Sequence, residues 1–266
     1  MTEILQPDSL KDVPKEEGVV RVLVGIAHEG MTQSEAYCNR LWMFKHMGHL
    51  EERGKILKES PRFEFYHTTV GRCLTPFARE EMAKRAEASN MDYLFMIDDD
   101  MICPEDLFEQ LYKNNVDIVA PLAFTRGYPH KPVMYQSIEG WDPVVQKEYF
   151  MNSPIMNYSK DKLVECDAVG FGAVLIKIDV IRKVGKPRFM STCGTGEDIY
   201  FCYQAKKLGY RVFMDTRVKL GHLGHPAIIT EEYVESVRKR DNMEIEKRMG
   251  LYNKYDAKEP VCVLGE

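Results

Sequence analysis

Apolar positions along the chain recur in two periods that take turns. Residues 19–30, VVRVLVGIAHEG, open on β-branched residues and stop at a glycine, which predicts a buried strand. Helical spacing follows over about residues 32–47. RFEFYHTT (62–69) alternates as a second strand, and LTPFAREEMAKRAEASN (74–90) places Thr75 ahead of Pro76 and then spaces its apolar residues helically. That predicts a helix capped by Thr75. DYLFMI (92–97) reads as a third strand. PEDLFEQLYKNN (104–115) sets proline and acids where they suit the positive end of a helix, and it leads to the strand VDIVAPL (116–122). Strands alternating with helices predict an α/β fold, a mainly parallel sheet flanked by helices, with ligands bound outside the carboxyl ends of the strands.

The pattern changes over about residues 125–161, where proline, glycine and aromatics mix with short strand-like pieces. It predicts a small antiparallel excursion on the substrate side. LVECDAVGFGAVLIKIDVIRKVG (163–185) restores order as strand, glycine turn, strand and short helix. GTGEDIYFCYQAKKLGYRVFMDTRVKLGHLGH (194–225) then gives a helix over 197–208, a glycine stop, and one or two strands ending in histidines. EEYVESVRKRDNMEIEKRMG (231–250) is a charged helix carrying Tyr233, Val237, Met243 and Ile245, for packing across the sheet or for association between copies. The expected organisation is an extension over 1–18, a catalytic domain over 19–228, and a C-terminal helix and tail over 229–266.

Composition narrows the classes. The chain has 266 residues, 44% of them hydrophobic, enough to fill a substantial core. A formal net charge of -5 argues against a surface built for nucleic acid. Seven cysteines without a CxxC pair fit reduced thiols better than a disulfide framework or zinc ribbon, and they suggest a cytoplasmic setting. No apolar run is long enough for a membrane span, and the acidic start is unlike a signal peptide.

The chemistry concentrates where YLFMI runs into Asp98, Asp99 and Asp100. If the strand persists, Asp98 and Asp100 point the same way, an arrangement that repels unless a cation sits between them. Oxygen ligands favour Mg²⁺ or Mn²⁺. Capping of the helix at Pro104 accounts for one aspartate but not three. Glu197 and Asp198 stand at a glycine-rich helix start, which suits acids whether or not they act in catalysis. His222 and His225, ending a strand, are possible ligands or ordinary surface residues.

Together these segments, in this order over about residues 20–225, resemble a nucleotide-sugar-dependent glycosyltransferase of the GT-A fold, family 2-like, of bacterial or phage type. The resemblance implies that Asp98 and Asp100 bind the metal and the donor's ribose or diphosphate, with Asp99 assigned to the ribose or sugar. His222 would complete the metal shell, with His225 as fallback, and an imidazole ligand tilts preference toward Mn²⁺ over Mg²⁺. Ala27, His28 and Glu29 fall where the nucleobase is gripped. Arg79 stands in the place of the family's Arg-Asn pair, here Arg79-Glu80, and reads equally as a donor ligand or a structural ion pair. The Glu197-Asp198 pair is implied to be catalytic, Asp198 being the general base of an inverting transfer, the favoured case, or a residue that positions the acceptor in a retaining one. Trp141 and Tyr135 are candidates for stacking on the acceptor sugar. The implied partners are a UDP- or GDP-linked donor and a hydroxyl acceptor on a glycan or glycolipid, with the C-terminal helix a possible homo-oligomer contact. A sugar nucleotidyltransferase and a non-catalytic nucleotide- or carbohydrate-binding protein remain as alternatives.

Overall fold

A computed structural model describes residues 15–28, 34–58, 61–142, 147–191, 195–224 and 228–256. The first half runs β1 (Val19–His28), α1 (Ser34–Leu57), β2 (Arg62–Gly71), α2 (Thr75–Ala88), β3 (Tyr93–Asp98), β4 (Met101–Ile102), α3 (Leu107–Tyr112) and β5 (Ile118–Leu122). A hairpin follows, β6 (Met134–Asp142) and β7 (Lys147–Pro154). Then come β8 (Leu163–Cys166), β9 (Ala168–Val169), β10 (Ala173–Lys177), α4 (Ile178–Lys183) and α5 (Glu197–Lys207). The chain closes with β11 (Val212–Lys219), β12 (Gly221–Leu223), β13 (Ile228–Ile229) and α6 (Glu231–Asp256).

The central sheet has the order β2-β1-β3-β10-β5-β11-β8. Five strands run in one direction, while β10 and β8 run against them, so the expected mainly parallel α/β sheet is present in mixed form. Both of its faces are covered. On one, Leu94 and Met96 of β3 pack with Met82, Ala83 and Ala86 of α2. On the other, Phe95 and Ile97 pack with Met43 and Met47 of α1 and Phe108 of α3. Burial on both sides is why β3 reads as continuous hydrocarbon rather than as an alternation.

Two three-stranded sheets flank the main one. β13-β12-β4 lies beyond the carboxyl end of β3, and β7-β6-β9 is the antiparallel excursion that the middle of the chain predicts. α6 docks through buried Val234 and Val237. Its first residue, Glu231, is buried against Lys219 Nζ at 2.6 Å and accepts a hydrogen bond from the Tyr158 hydroxyl at 3.0 Å. Among the described residues no helix is long and apolar enough to cross a membrane, and Cys38, Cys73, Cys103, Cys166 and Cys202 are free thiols.

Three local expectations change. α1 continues to Leu57 instead of ending near residue 47, because Gly48 faces open space and the buried series Met43, Met47, Leu50, Gly54 keeps helical spacing through it. Thr75 does not cap α2: it is the first helical residue, Leu74 occupies the cap position, and no side chain bonds there. α3 starts at Leu107, behind a turn that takes up Glu105 and Asp106, and not at Pro104.

Candidate functional site

β3 stops at Asp98, and Asp99 and Asp100 form a turn before β4 joins a different sheet. The expectation that Asp98 and Asp100 share one side of a continuing strand therefore fails at its premise. The turn sends the two carboxylates to different partners.

Asp98 sits beside Ala27 of β1, and its N–H donates to the Gly172 carbonyl at 2.8 Å. Its carboxylate meets Arg79, a buried side chain on the first turns of α2. Arg79 Nη2 donates to both Asp98 oxygens at 3.1 Å, Nε donates to Glu197 Oε1 at 3.0 Å, and Nη1 donates to the Phe171 carbonyl at 3.1 Å. One guanidinium thus ties together the aspartate turn, the glycine turn and the start of α5. Burial alone works against its charge, but Asp98, Glu197 and Asp198 outweigh that and hold it firmly cationic. Burial pushes Asp98 up to about 6 despite Arg79, with Asp100, Glu197 and Asp198 adding to the rise.

Asp198 lies in the first turn of α5. A Cβ at Gly196, the residue before the helix, would stand 2.6 Å from Asp198 Oδ1, so a larger residue there would have to displace that carboxylate. That oxygen accepts the Ile199 N–H at 2.7 Å. Burial raises the Asp198 carboxyl and Glu197 adds to the effect, while Arg79 opposes it. Tyr135, half-buried on β6, feels the same charge: burial first and Asp198 second push its phenol up to about 12. The first strand of the hairpin thus lies near the start of α5. Beside them, Ser137, Asp167, Tyr203, Lys206 and Lys207 line a groove of about 430 Å³.

The second carboxylate belongs to a looser cluster. Asp100 Oδ2 lies 3.2 Å from His222 Nε2 and 3.3 Å from Arg126 Nη1. His222 arrives by strand pairing, with Gly221 and His222 of β12 set opposite Ile102 and Met101 of β4, and the Leu223 N–H donates to the Asp100 carbonyl at 2.9 Å. His222 Nδ1 donates to the Phe124 carbonyl at 2.8 Å, an acceptor-only partner that turns Nε2 toward Asp100. Although burial works against it, the His222 imidazole is raised by Asp100 and Phe124, and Asp100 is lowered by His222 and Arg126. Behind the turn, Arg40 Nη1 donates to the Asp99 carbonyl at 3.0 Å, and Asn39 brackets the Cys103 backbone at 2.7 and 2.9 Å.

A divalent cation fits the second cluster by donor chemistry. A carboxylate oxygen and an imidazole nitrogen converge there, and the other imidazole nitrogen is tied to a carbonyl, the usual support of a metal-binding histidine. Among the described residues, however, no group of three or more His, Cys, Asp or Glu is gathered for a metal. The three-residue set of Asp98, Asp100 and His222 is not assembled, because Arg79 claims Asp98. Asp100 and His222 are the pair able to hold the ion, leaving its other positions to phosphate oxygens and water.

At the end of β1, Ile26, His28, Tyr37, Arg40, Leu41, Phe44 and Thr69 line a cavity of about 270 Å³. Glu29 and His225 lie outside the described residues, as does the side chain of Trp141 on β6. Arg126, Arg40 and the carbonyls of Phe124 and Phe171 were not singled out from sequence. Arg126 alone carries a hint, as a cation just past the carboxyl end of β5.

No family model matches the chain, and no curated protein matches it. Among solved structures, A197 from STIV is similar over 77% of this chain and 86% of that one, with 18% identity and a TM-score of 0.49. A crystal structure of GalNAc-T7 with UDP, GalNAc and Mn2+ is similar over 76% of this chain and 43% of that one, with 15% identity and a TM-score of 0.47.

Proposed function

We propose that the chain is a metal-dependent glycosyltransferase that moves a sugar from a nucleoside-diphosphate donor to a hydroxyl acceptor with inversion. The observation that carries this reading is the bridging of Asp98 and Glu197 by Arg79, beside an Asp100–His222 pair, at the carboxyl end of β3. In support of this reading, one guanidinium ties Asp98 to the start of the helix that carries Asp198. Bound by Asp100 and His222, a divalent cation supplies Lewis-acid neutralisation of the leaving diphosphate.

The chain's own residues supply the rest. The cavity at the end of β1 receives the base, and Asp98, oriented by Arg79, accepts a hydrogen bond from the ribose. Asp198 accepts the proton of the acceptor hydroxyl as that oxygen bonds to the anomeric carbon. The bond from that carbon to the phosphate oxygen breaks, and the nucleoside diphosphate departs with the electron pair. The upward shift of Asp198 suits this work, since a base nearer neutrality draws the proton more strongly. Tyr135 and the adjoining groove are placed to receive the acceptor. The test is product analysis with UDP- and GDP-sugars and Mn²⁺. Release of nucleoside diphosphate supports transfer, whereas pyrophosphate formed from a nucleoside triphosphate and a sugar phosphate makes the chain a nucleotidyltransferase instead.

A further inference from the structure

Resting on the glycosyltransferase reading, we propose that Arg126 is a diphosphate ligand held in reserve: without substrate it neutralises Asp100, and with donor it yields Asp100 to the cation and turns to the phosphates. Arg126 is nowhere among the residues that the motifs singled out. Its side chain is 59% exposed, and its Nη1 approaches Asp100 Oδ2 at 3.3 Å, beside a carboxylate only 18% exposed. Exposed, single-pronged ion pairs of this kind are weak and exchange readily. The other two guanidiniums at the site are committed to the frame. Arg79 is buried on Asp98, Glu197 and Phe171, and Arg40 is buried with a hydrogen bond to the Asp99 carbonyl.

The backbone that carries Arg126 is pinned by hydrogen bonds, while its side chain is largely exposed. The Thr125 N–H donates to the Lys131 carbonyl at 2.9 Å, and the Lys131 N–H donates to Thr125 Oγ1 at 3.0 Å, closing the loop on itself. The Tyr128 hydroxyl donates to Asp241 Oδ2 of α6 at 2.6 Å, and the His130 ring packs edge-on against Tyr233 of the same helix. Two residues before Arg126, the Phe124 carbonyl sets the tautomer of His222. One loop therefore orients His222 and holds a long, planar cation over Asp100. A guanidinium fork matches phosphate oxygens in a bidentate way that a point charge does not. The Asp100 carboxylate needs a positive partner in either state, and the exchange supplies one in both.

The test uses the full chain and its Arg126→Ala and Arg126→Lys variants. Mn²⁺ binding without nucleotide is followed by electron paramagnetic resonance of the free ion, and UDP, GDP, UMP and GMP binding at saturating Mn²⁺ by calorimetry. Arg126→Ala is expected to bind Mn²⁺ alone a few-fold more tightly, because a competing cation is gone. It should also bind the preferred nucleoside diphosphate about tenfold more weakly while leaving the monophosphate within about twofold, with the lysine variant in between. Both affinities within twofold of wild type, or weaker Mn²⁺ binding, overturn the proposal. Absence of nucleotide binding by the wild-type chain instead defeats the glycosyltransferase reading, and this inference falls with it.

Discussion

Asp98 and Asp100 are two residues apart, yet they belong to different kinds of structure. Asp98 closes a strand buried on both faces and is gripped by a guanidinium that is itself 3% exposed and also holds Glu197 and Phe171. Asp100 sits on a turn beside one histidine and one largely exposed arginine. The first half of the site is built before any ligand arrives, with charges paired inside the fold. The second half keeps a carboxylate and an imidazole that are themselves mostly covered, with a largely exposed and replaceable counter-charge. Under the proposed function, rigid placement would suit the atoms that orient the donor and take the proton, and an exchangeable cluster would suit an ion that comes and goes with substrate.

The largest effect tests the rigid half. Asp198→Asn is expected to lower the transfer rate by about 10²- to 10⁴-fold, with nucleotide affinity unchanged within about threefold, as read by kcat and by calorimetry. Unchanged transfer would remove Asp198 as the base. Next, Arg79→Ala strands Asp98 and Glu197 without their shared cation and should destabilise the ligand-free fold by about 3–5 kcal/mol, lowering Tm by roughly 10 °C. Arg79→Lys should recover only part of this, since an ammonium cannot span three acceptors in one plane. Asp100→Asn and His222→Ala should do the reverse. They should lower the ligand-free Tm by much less than Arg79→Ala does but weaken Mn²⁺ binding by about 100-fold, and equal losses of ligand-free stability at Arg79 and Asp100 would erase the contrast between the halves.

The smallest effect lies outside both halves, at the foot of α6. Burial alone would raise the Glu231 carboxyl, but the hydrogen bonds and charges of Lys219 and Tyr158, with Lys160, bring it below its ordinary 4.5. A folded value below the unfolded one gives stability that is present above about pH 4.5 and lost as pH falls through the folded value. Glu231→Gln should therefore cost about 1 kcal/mol at pH 7 in urea unfolding, with the difference from wild type closing as pH falls from 4.5 through the lowered folded value. A constant difference across that range would mean that the ion pairs at Glu231 do not carry the stability.

Much of this was readable in the sequence, for reasons that can be named. β3 was legible because burial on both faces leaves an unbroken apolar run, and its end marked the site because ligands gather at the carboxyl ends of parallel strands. The Glu197-Asp198 start of α5 was legible from its glycine and acids, and the stop after it from Gly209, whose φ of 88° disfavours other residues. The break at Asp98 was not legible. It is imposed by pairing of Met101 with His222, a contact across the fold that leaves no trace in the local period. For Arg79 the sequence left a donor ligand and a structural ion pair open, and its partners were hidden for the same reason, since Glu197 is 118 residues away. Helical spacing told only that Arg79 lies on α2. The Gly48 within α1 misled because glycine suggests a stop, whereas here it faces open space and the buried stripe continues past it.

The most direct measurement is thermal unfolding of the chain with UDP- and GDP-sugars, with and without Mn²⁺, in wild type and Asp100→Asn. Binding at a hundred times Kd adds about 2.7 kcal/mol, a rise in Tm of roughly 5–10 °C. A rise with at least one donor that requires Mn²⁺ and disappears in Asp100→Asn is the predicted result. No rise with any donor, or one indifferent to both Mn²⁺ and Asp100, would contradict the assignment of this site to metal-dependent sugar transfer.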